Sequence, residues 1–171
     1  MVKFFYQLRS KPIPYYAYYP IWLIIWKPIR KFVNVVIIPN IPFSRARIIL
    51  YKCLGYKIGK NVFIGMKCYM DDIDPSKTII EDGVTISYGC YFAVHGKGQG
   101  HAYIHIEKDA YIGIRCNILS TKSGIIIGEN SIIGAGSLVN KSIPSNCVAV
   151  GVPIRVIKKR NFLISDIFEK N

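Results

Sequence analysis

From Ile58 onward, aliphatic residues return every six positions. They stand at Ile58, Ile64 and Met70, then at Ile80, Ile86 and Phe92, at Ile106, Ile112 and Ile118, and at Ile127, Ile133 and Val139. A period of six fits neither a lone helix nor a simple strand. It fits a short strand, a sharp turn and another short strand, wound into a solenoid. Gly or an acid often follows the aliphatic residue at once, as at Gly59, Gly65, Glu81, Glu107, Gly113, Gly128 and Gly134. A glycine there is expected to supply a turn conformation that a side chain resists. The position four after each aliphatic residue should also face inward and be small. It holds Val62, Cys68, Val84, Cys90, Ala110, Cys116, Ser131 and Ser137. Three cysteines are therefore read as wall fillers rather than reactive thiols.

The rhythm breaks between Phe92 and Ile106, where the text runs FAVHGKGQGH and fourteen positions replace six. The eight extra residues must leave the wall as a loop. Glycines 96, 98 and 100 let it leave sharply. Loops projecting from a rigid scaffold often carry function. No nucleotide motif surrounds the loop to make it a phosphate cradle. Two of the three histidines, His95 and His101, bound the glycine run, with His95 where the loop departs. His105, one place before Ile106, should face outward on a wall as an ordinary exposed residue.

Ahead of the solenoid the pattern changes. Residues 21 to 38 read IWLIIWKPIRKFVNVVII between two prolines, with polar residues only at Lys27, Arg30, Lys31 and Asn34 apart from Pro28. Offsets of three, four and seven make one stripe along a helix of about 27 Å. Three central cations make a membrane-spanning helix costly. They suit a helix lying in the interface, with Trp22, Trp26 and the Tyr15 to Tyr19 cluster at headgroup depth. The other reading is a helix packed on a partner subunit. Pro28 either kinks the helix or marks its start. No small-residue cleavage site follows the apolar run, which disfavours a cleaved signal peptide. Ser44 to Gly55 reads as a short helix, with Ser44 as N-cap and Gly55 as its stop.

These patterns divide the 171 residues into a basic, aromatic-rich helical region (1–57), a solenoid domain (58–153) and a C-terminal helix or tail (154–171). Charge follows the same division. No Asp or Glu precedes Asp71, a stretch that holds 12 of the 23 Lys and Arg. Beyond it, 11 cations face 10 anions, so the formal charge of +13 belongs to the N-terminal region. That distribution argues against a nucleic-acid partner, whose basic face would belong to the folded recognition surface. The five cysteines form no CxxC pair, which disfavours a zinc site or disulfide framework and suits a reducing compartment.

The repeat resembles the hexapeptide-repeat acyltransferases over roughly residues 55 to 159. The most specific stretch is IIIGENSIIGAGSLVNKSIPSNCVAVGVPIRVIKK, in which an IGAGS run is followed by a GVP turn. That text is similar to the polysaccharide and sugar O-acetyltransferase branch. The resemblance implies a mainly β fold, a left-handed parallel β-helix, although crossover preferences alone would suggest the other hand. It implies acetyl-coenzyme A as acyl donor, no metal, and a homotrimer with coenzyme A in the groove between subunits. His95, ending ISYGCYFAVH, is then the general base. Acetyl transfer needs one, because a hydroxyl is a poor nucleophile at neutral pH.

The resemblance also implies a set of binding residues. Asp71 and Asp72 open the segment DDIDP at another insertion, where similar text occurs in that branch. Carboxylates there would accept sugar hydroxyls or orient an imidazole; the plain reading is a solvated acidic turn. His101 would line the acceptor site, touch coenzyme A or be solvated. Tyr111 stands where many relatives carry Trp, and would either stack on a sugar or be a surface tyrosine. Gly113, Gly134 and Ala135 are candidates for backbone contacts to pantetheine. Lys158, Lys159 and Arg160 would meet the phosphates or form a solvated basic tail.

Together these readings predict an O-acetyltransferase acting on a surface polysaccharide or its lipid-linked precursor. It would be cytoplasmic and peripheral, held on an anionic inner membrane face through residues 15–38. Alternatives are an amino-sugar N-acetyltransferase, a xenobiotic acetyltransferase and a trimeric scaffold. A zinc carbonic anhydrase of the same solenoid is disfavoured: it takes histidines from different coils, and all three here fall between positions 95 and 105.

Overall fold

The structure, a computed structural model, describes residues 21–96 and 100–159, without the side chains of residues 21–25 and 101. The Tyr15 to Tyr19 cluster, Trp22's side chain, the middle of the glycine loop and Arg160 lie outside that description.

The six-residue rhythm builds three parallel walls. The first stacks Lys57–Ile58, Thr78–Ile80, Ile104–Ile106 and Ile125–Ile127. The second stacks Phe63–Ile64, Thr85–Ile86, Tyr111–Ile112, Ile132–Ile133 and Cys147–Val150. The third stacks Tyr91–Ala93, Asn117–Leu119 and Leu138–Val139, with Tyr69 bridged to Tyr91 below them. Register keeps like over like: Ile58, Ile80, Ile106 and Ile127 form one column, and Ile64, Ile86, Ile112 and Ile133 another. The small residues four places on are all buried, Cys68, Cys90 and Cys116 among them. The interior is thus filled by these aliphatic and small residues, and the first wall adds a second buried isoleucine to its upper strands, Ile104 and Ile125.

The corner glycines do a different job from the one expected. The left-handed backbone falls three places after the aliphatic residue, at Asn61, Lys67, Gly83, Gly89, Asp109, Arg115, Asn130, Gly136 and Asn146. Gly65 and Gly113, directly after the aliphatic residue, do not have positive φ. They are glycine because the coils touch there. A Cβ on Gly113 would sit 2.6 Å from the Ala135 backbone nitrogen, and one on Gly65 2.6 Å from that of Tyr88.

A parallel ladder leaves carbonyls without partners at its first coil, and buried carbonyls need donors. The N-terminal elements supply them. Helix α1 (Ile21–Phe32) contains Pro28 and runs on through a π-turn, Val33–Ile37, and a 3₁₀ turn, Ile38–Asn40. Helix α2 (Ser44–Cys53) crosses the open end of the first coil. Its cap is Phe43, so Ser44 is the first helical residue and makes no capping bond. Its C-terminus follows the expectation: Gly55 takes φ +102°, and the amides of Gly55 and Tyr56 return to the carbonyls of Lys52 and Tyr51. Buried Arg47 donates to the carbonyls of Ile64 and Ile41, and Tyr51 donates to that of Cys68 at 3.2 Å.

The polar stripe of α1 divides in two. Arg30 and Asn34 turn onto the solenoid, while Lys27 and Lys31 stay exposed. Trp26, Ile29, Phe32, Val35, Val36 and Ile37 are exposed as well. No helix among the described residues is long and apolar enough to cross a membrane.

At the far end, Gly151 to Pro153 turns the chain. Arg155–Lys159, the start of the segment expected as a helix or tail, is a strand antiparallel to Cys147–Val150. That strand occupies the upper edge of the second wall, where a further coil would otherwise pair.

Candidate active site

His95 directly follows the third wall, whose strand Tyr91–Ala93 is paired on both sides. Beyond Val94 the chain leaves the solenoid as an antiparallel ribbon, His95–Gly96 against Gly100–His101, closed at its base by the Ala102 amide on the Val94 carbonyl at 3.0 Å. The ribbon sets the backbones of the two histidines opposite each other. His101 is therefore placed beside His95, and its side chain lies outside the description. The His95 side chain is 43% exposed, open to solvent on one side.

On its other side, His95 Nδ1 meets Asp71 Oδ2. Asp71 is fully buried, and both its oxygens are engaged. Oδ2 also accepts the Val94 amide at 2.8 Å, and Oδ1 accepts the Ile73 amide at 3.0 Å. A carboxylate with amide donors behind it accepts from the imidazole rather than donating to it. In neutral His95 the proton therefore sits on Nδ1, and Nε2 is left with a lone pair. This arrangement can take a proton from a hydroxyl approaching the exposed edge of the ring. Of the roles expected for Asp71, the geometry favours orienting an imidazole, because the fully buried carboxylate is out of reach of a sugar.

Asp72 is partly exposed beside this pair. Its Oδ1 accepts the Tyr69 hydroxyl at 3.3 Å. Tyr69 stacks on Tyr91 with ring centroids 4.5 Å apart, so two aromatic rings lie on the wall that leads to His95. Burial, then the charges of Asp72 and Asp71, push the Tyr69 hydroxyl well above its ordinary pKa, so it remains a donor. Neither tyrosine stood out in the sequence. The signal was there in the register, because Tyr69 and Tyr91 each directly precede an inward residue on the same wall.

The other expected residues lie elsewhere. Tyr111 faces out from the second wall, where its hydroxyl accepts from Ser87 Oγ at 3.2 Å, and it makes no described contact with His95. Gly113 is buried; its amide bonds to Ile133 and its carbonyl accepts the Cys90 thiol, so its amide is already engaged within the solenoid. Gly134 is similarly committed, to Ala149, Cys116 and Ser137. Ala135 is exposed at the same corner. Lys158 and Lys159 are exposed on the terminal strand, opposite Val148 and Cys147. His105 faces out from the first wall as expected, and its Nε2 pairs with Glu81 Oε1 at 2.7 Å. Among the described residues no cluster of His, Cys, Asp or Glu could hold a metal ion.

Comparison with known proteins agrees with this architecture. The family described as "Hexapeptide repeat of succinyl-transferase" matches residues 56–91 and 103–141, stepping over the ribbon that carries His95 and His101. A Staphylococcus aureus (strain MRSA252) protein named as an acetyltransferase is 38% identical over 108 residues, covering 60% of this chain and 54% of its own. The galactoside O-acetyltransferase of Escherichia coli K12 is 36% identical over 120 residues, covering 62% and 58%. The chain thus spans little more than half the length of these relatives. A hexapeptide-repeat acetyltransferase from Vibrio cholerae shares the fold at 20% identity, with a TM-score of 0.63 over 82% of this chain and 94% of that one. Its acetyl-coenzyme A complex aligns over 95% and 100%, with a TM-score of 0.58 at 19% identity. From the six-residue coils to these likenesses, the observations agree: residues 56–91 and 103–141 form the hexapeptide repeat that the hexapeptide-repeat acyltransferases share.

Proposed function

We propose that the protein is an acetyl-coenzyme A-dependent O-acetyltransferase acting on a sugar hydroxyl of a surface polysaccharide or its lipid-linked precursor. The observation that carries this reading is the Asp71–His95 pair, with Nδ1 held by a buried carboxylate and the ring open to solvent. His95 Nε2 takes the acceptor's hydroxyl proton as that oxygen attacks the thioester carbonyl. The carbon–sulfur bond then breaks, and the imidazolium returns the proton to the departing thiolate. The acyl donor is supported by the name acetyltransferase among the relatives and by the acetyl-coenzyme A complex of the fold neighbour. The sugar acceptor is supported by the galactoside O-acetyltransferase, and by the partly exposed Asp72 beside Tyr69.

Two further features belong to the same reading. The exposed apolar residues of α1, with Lys27 and Lys31 beside them, suit the surface of an anionic bilayer, and a lipid-linked acceptor would be met there. This would place the protein on the inner face of the cytoplasmic membrane. A homotrimer would cover apolar residues that the single chain leaves exposed on its walls and corners, such as Phe63, Ile114 and Leu119. Ala135, Lys158 and Lys159 are the proposed coenzyme A contacts that remain accessible.

The test is acetyl transfer from acetyl-coenzyme A to extracted membrane glycolipids, with His95→Ala as control. General-base assistance is typically worth roughly a hundred- to ten-thousand-fold, and the control should lose a factor in that range. Transfer to no glycan fraction, or full turnover by His95→Ala, would contradict the proposal.

A further inference from the structure

The turn that carries Asp71 is held from behind by the N-terminal region. Three successive carbonyls, those of Met70, Asp71 and Asp72, each accept a side chain from outside the solenoid. Asn34 Nδ2 donates to the Met70 carbonyl at 2.6 Å. The Tyr56 hydroxyl lies 3.1 Å from the same carbonyl, 3.0 Å from that of Asp71 and 3.1 Å from Asn34 Oδ1. Arg30 Nη2 donates to the Asp72 carbonyl. Asn34 and Tyr56 are buried. Burial, then the neighbouring Tyr51, Asp72 and Asp71, push the Tyr56 hydroxyl's pKa up, so it keeps its proton. On the opposite side of the same residue, the Asp71 carboxylate takes His95.

We infer that Arg30, Asn34 and Tyr56 are positioning residues for the reaction: they fix the backbone of Asp71, and through its carboxylate they set the orientation of His95. The N-terminal helix is then part of the catalytic apparatus as well as a candidate membrane contact. The physical reason is local. Residues 71–77 leave the regular coil, so no neighbouring strand holds these carbonyls among the described bonds. Without the side-chain donors the buried turn would be free to shift, and a shift at Asp71 is passed directly to the imidazole. The inference rests on the reading of His95 as base.

The test uses the full chain with Tyr56→Phe, which keeps the ring, and Asn34→Ala. Misplacement of a reacting group by about 1 Å can cost on the order of a hundredfold. Each variant should lose turnover by up to that factor, with the KM for acetyl-coenzyme A little changed. Combined with Asp71→Asn, neither should add a further loss, because the connection to His95 is already cut. In labelled protein, the His95 Nδ1 proton resonance should move or broaden in both variants, without substrate. Losses that multiply with Asp71→Asn, unchanged turnover, or an unmoved resonance in folded protein would overturn the inference. A drop that only follows the folded fraction in a melt would do the same. If His95→Ala remains active, the base assignment has failed, while the resonance still reports whether Asn34 and Tyr56 hold the pair.

Discussion

At the scale of single residues, the candidate chemistry comes down to one exposed imidazole and one buried carboxylate. Asp71→Asn keeps the size of the side chain but weakens its hold on the Nδ1 proton. It should lower turnover by roughly ten- to a thousand-fold, less than His95→Ala, since the base is still present. Steady-state kinetics of both variants check the order, and an Asp71→Asn slower than His95→Ala would reverse the assignment. The position of His95 stood out in the sequence because it sits where a strict rhythm fails; its role as base came from the resemblance. For Asp71 the sequence offered several roles, and which of them applies was not legible. The two residues are 24 positions apart, and only the stacking of one coil on the next makes the carboxylate bury itself beneath the histidine. The partners of Gly113 were equally hidden: its environment is the Ala135 backbone one coil on, a contact set by coil spacing.

At the scale of elements, the two N-terminal helices close the open end of a parallel ladder. Arg47 does most at the mouth of the first coil. Leaving a buried polar group unpaired costs about 1–3 kcal/mol. Arg47→Met, which strands the Ile64 and Ile41 carbonyls, should therefore lower the melting temperature clearly, while His95→Ala should leave it nearly unchanged; calorimetry on the two decides. Helix α1 supports a second expectation. Replacing Trp26 and Phe32 by serine removes exposed apolar surface without touching Arg30 or Asn34. The double variant should lose binding to anionic vesicles in a flotation assay and keep its turnover in detergent. Unchanged vesicle binding would point instead to a partner subunit on that face. The helix and its stripe were readable from residue spacing. Which part of the stripe would face the protein was not, because that depends on the carbonyls of an irregular turn about 40 residues further on.

At the scale of the whole molecule, the solenoid is a long surface with apolar residues on its outer walls and corners. The proposed trimer predicts a sedimentation mass of three chains. It further predicts that Ile114→Asp, on an exposed corner, weakens assembly and activity together. A fully active monomer at working concentrations would remove both statements. Dilution of the wild-type protein gives the same test without mutation, since an active site completed by a neighbour loses specific activity as the assembly dissociates.

The repeat itself was written in the chain. A residue every six positions, with a small residue four places on, implied a solenoid of short strands and sharp turns, and the resemblance added the parallel β-helix. The departure of the chain at His95, the glycine stop at Gly55 and the basic N-terminus were written there too. These are local properties, carried by neighbours in sequence. What emerged only on folding depends on distance across coils. Gly65 and Gly113, directly after the aliphatic residue, answer to the backbone stacked against them rather than to φ. The carboxylate of Asp71 is turned inward by amides from Ile73 and Val94. Arg30, Asn34 and Tyr56 meet one turn from three separate parts of the chain. Spacing along a sequence sets which face a residue takes. Which residue of another coil or helix lies opposite is set by register and by the need to satisfy buried carbonyls, and neither has a local signature.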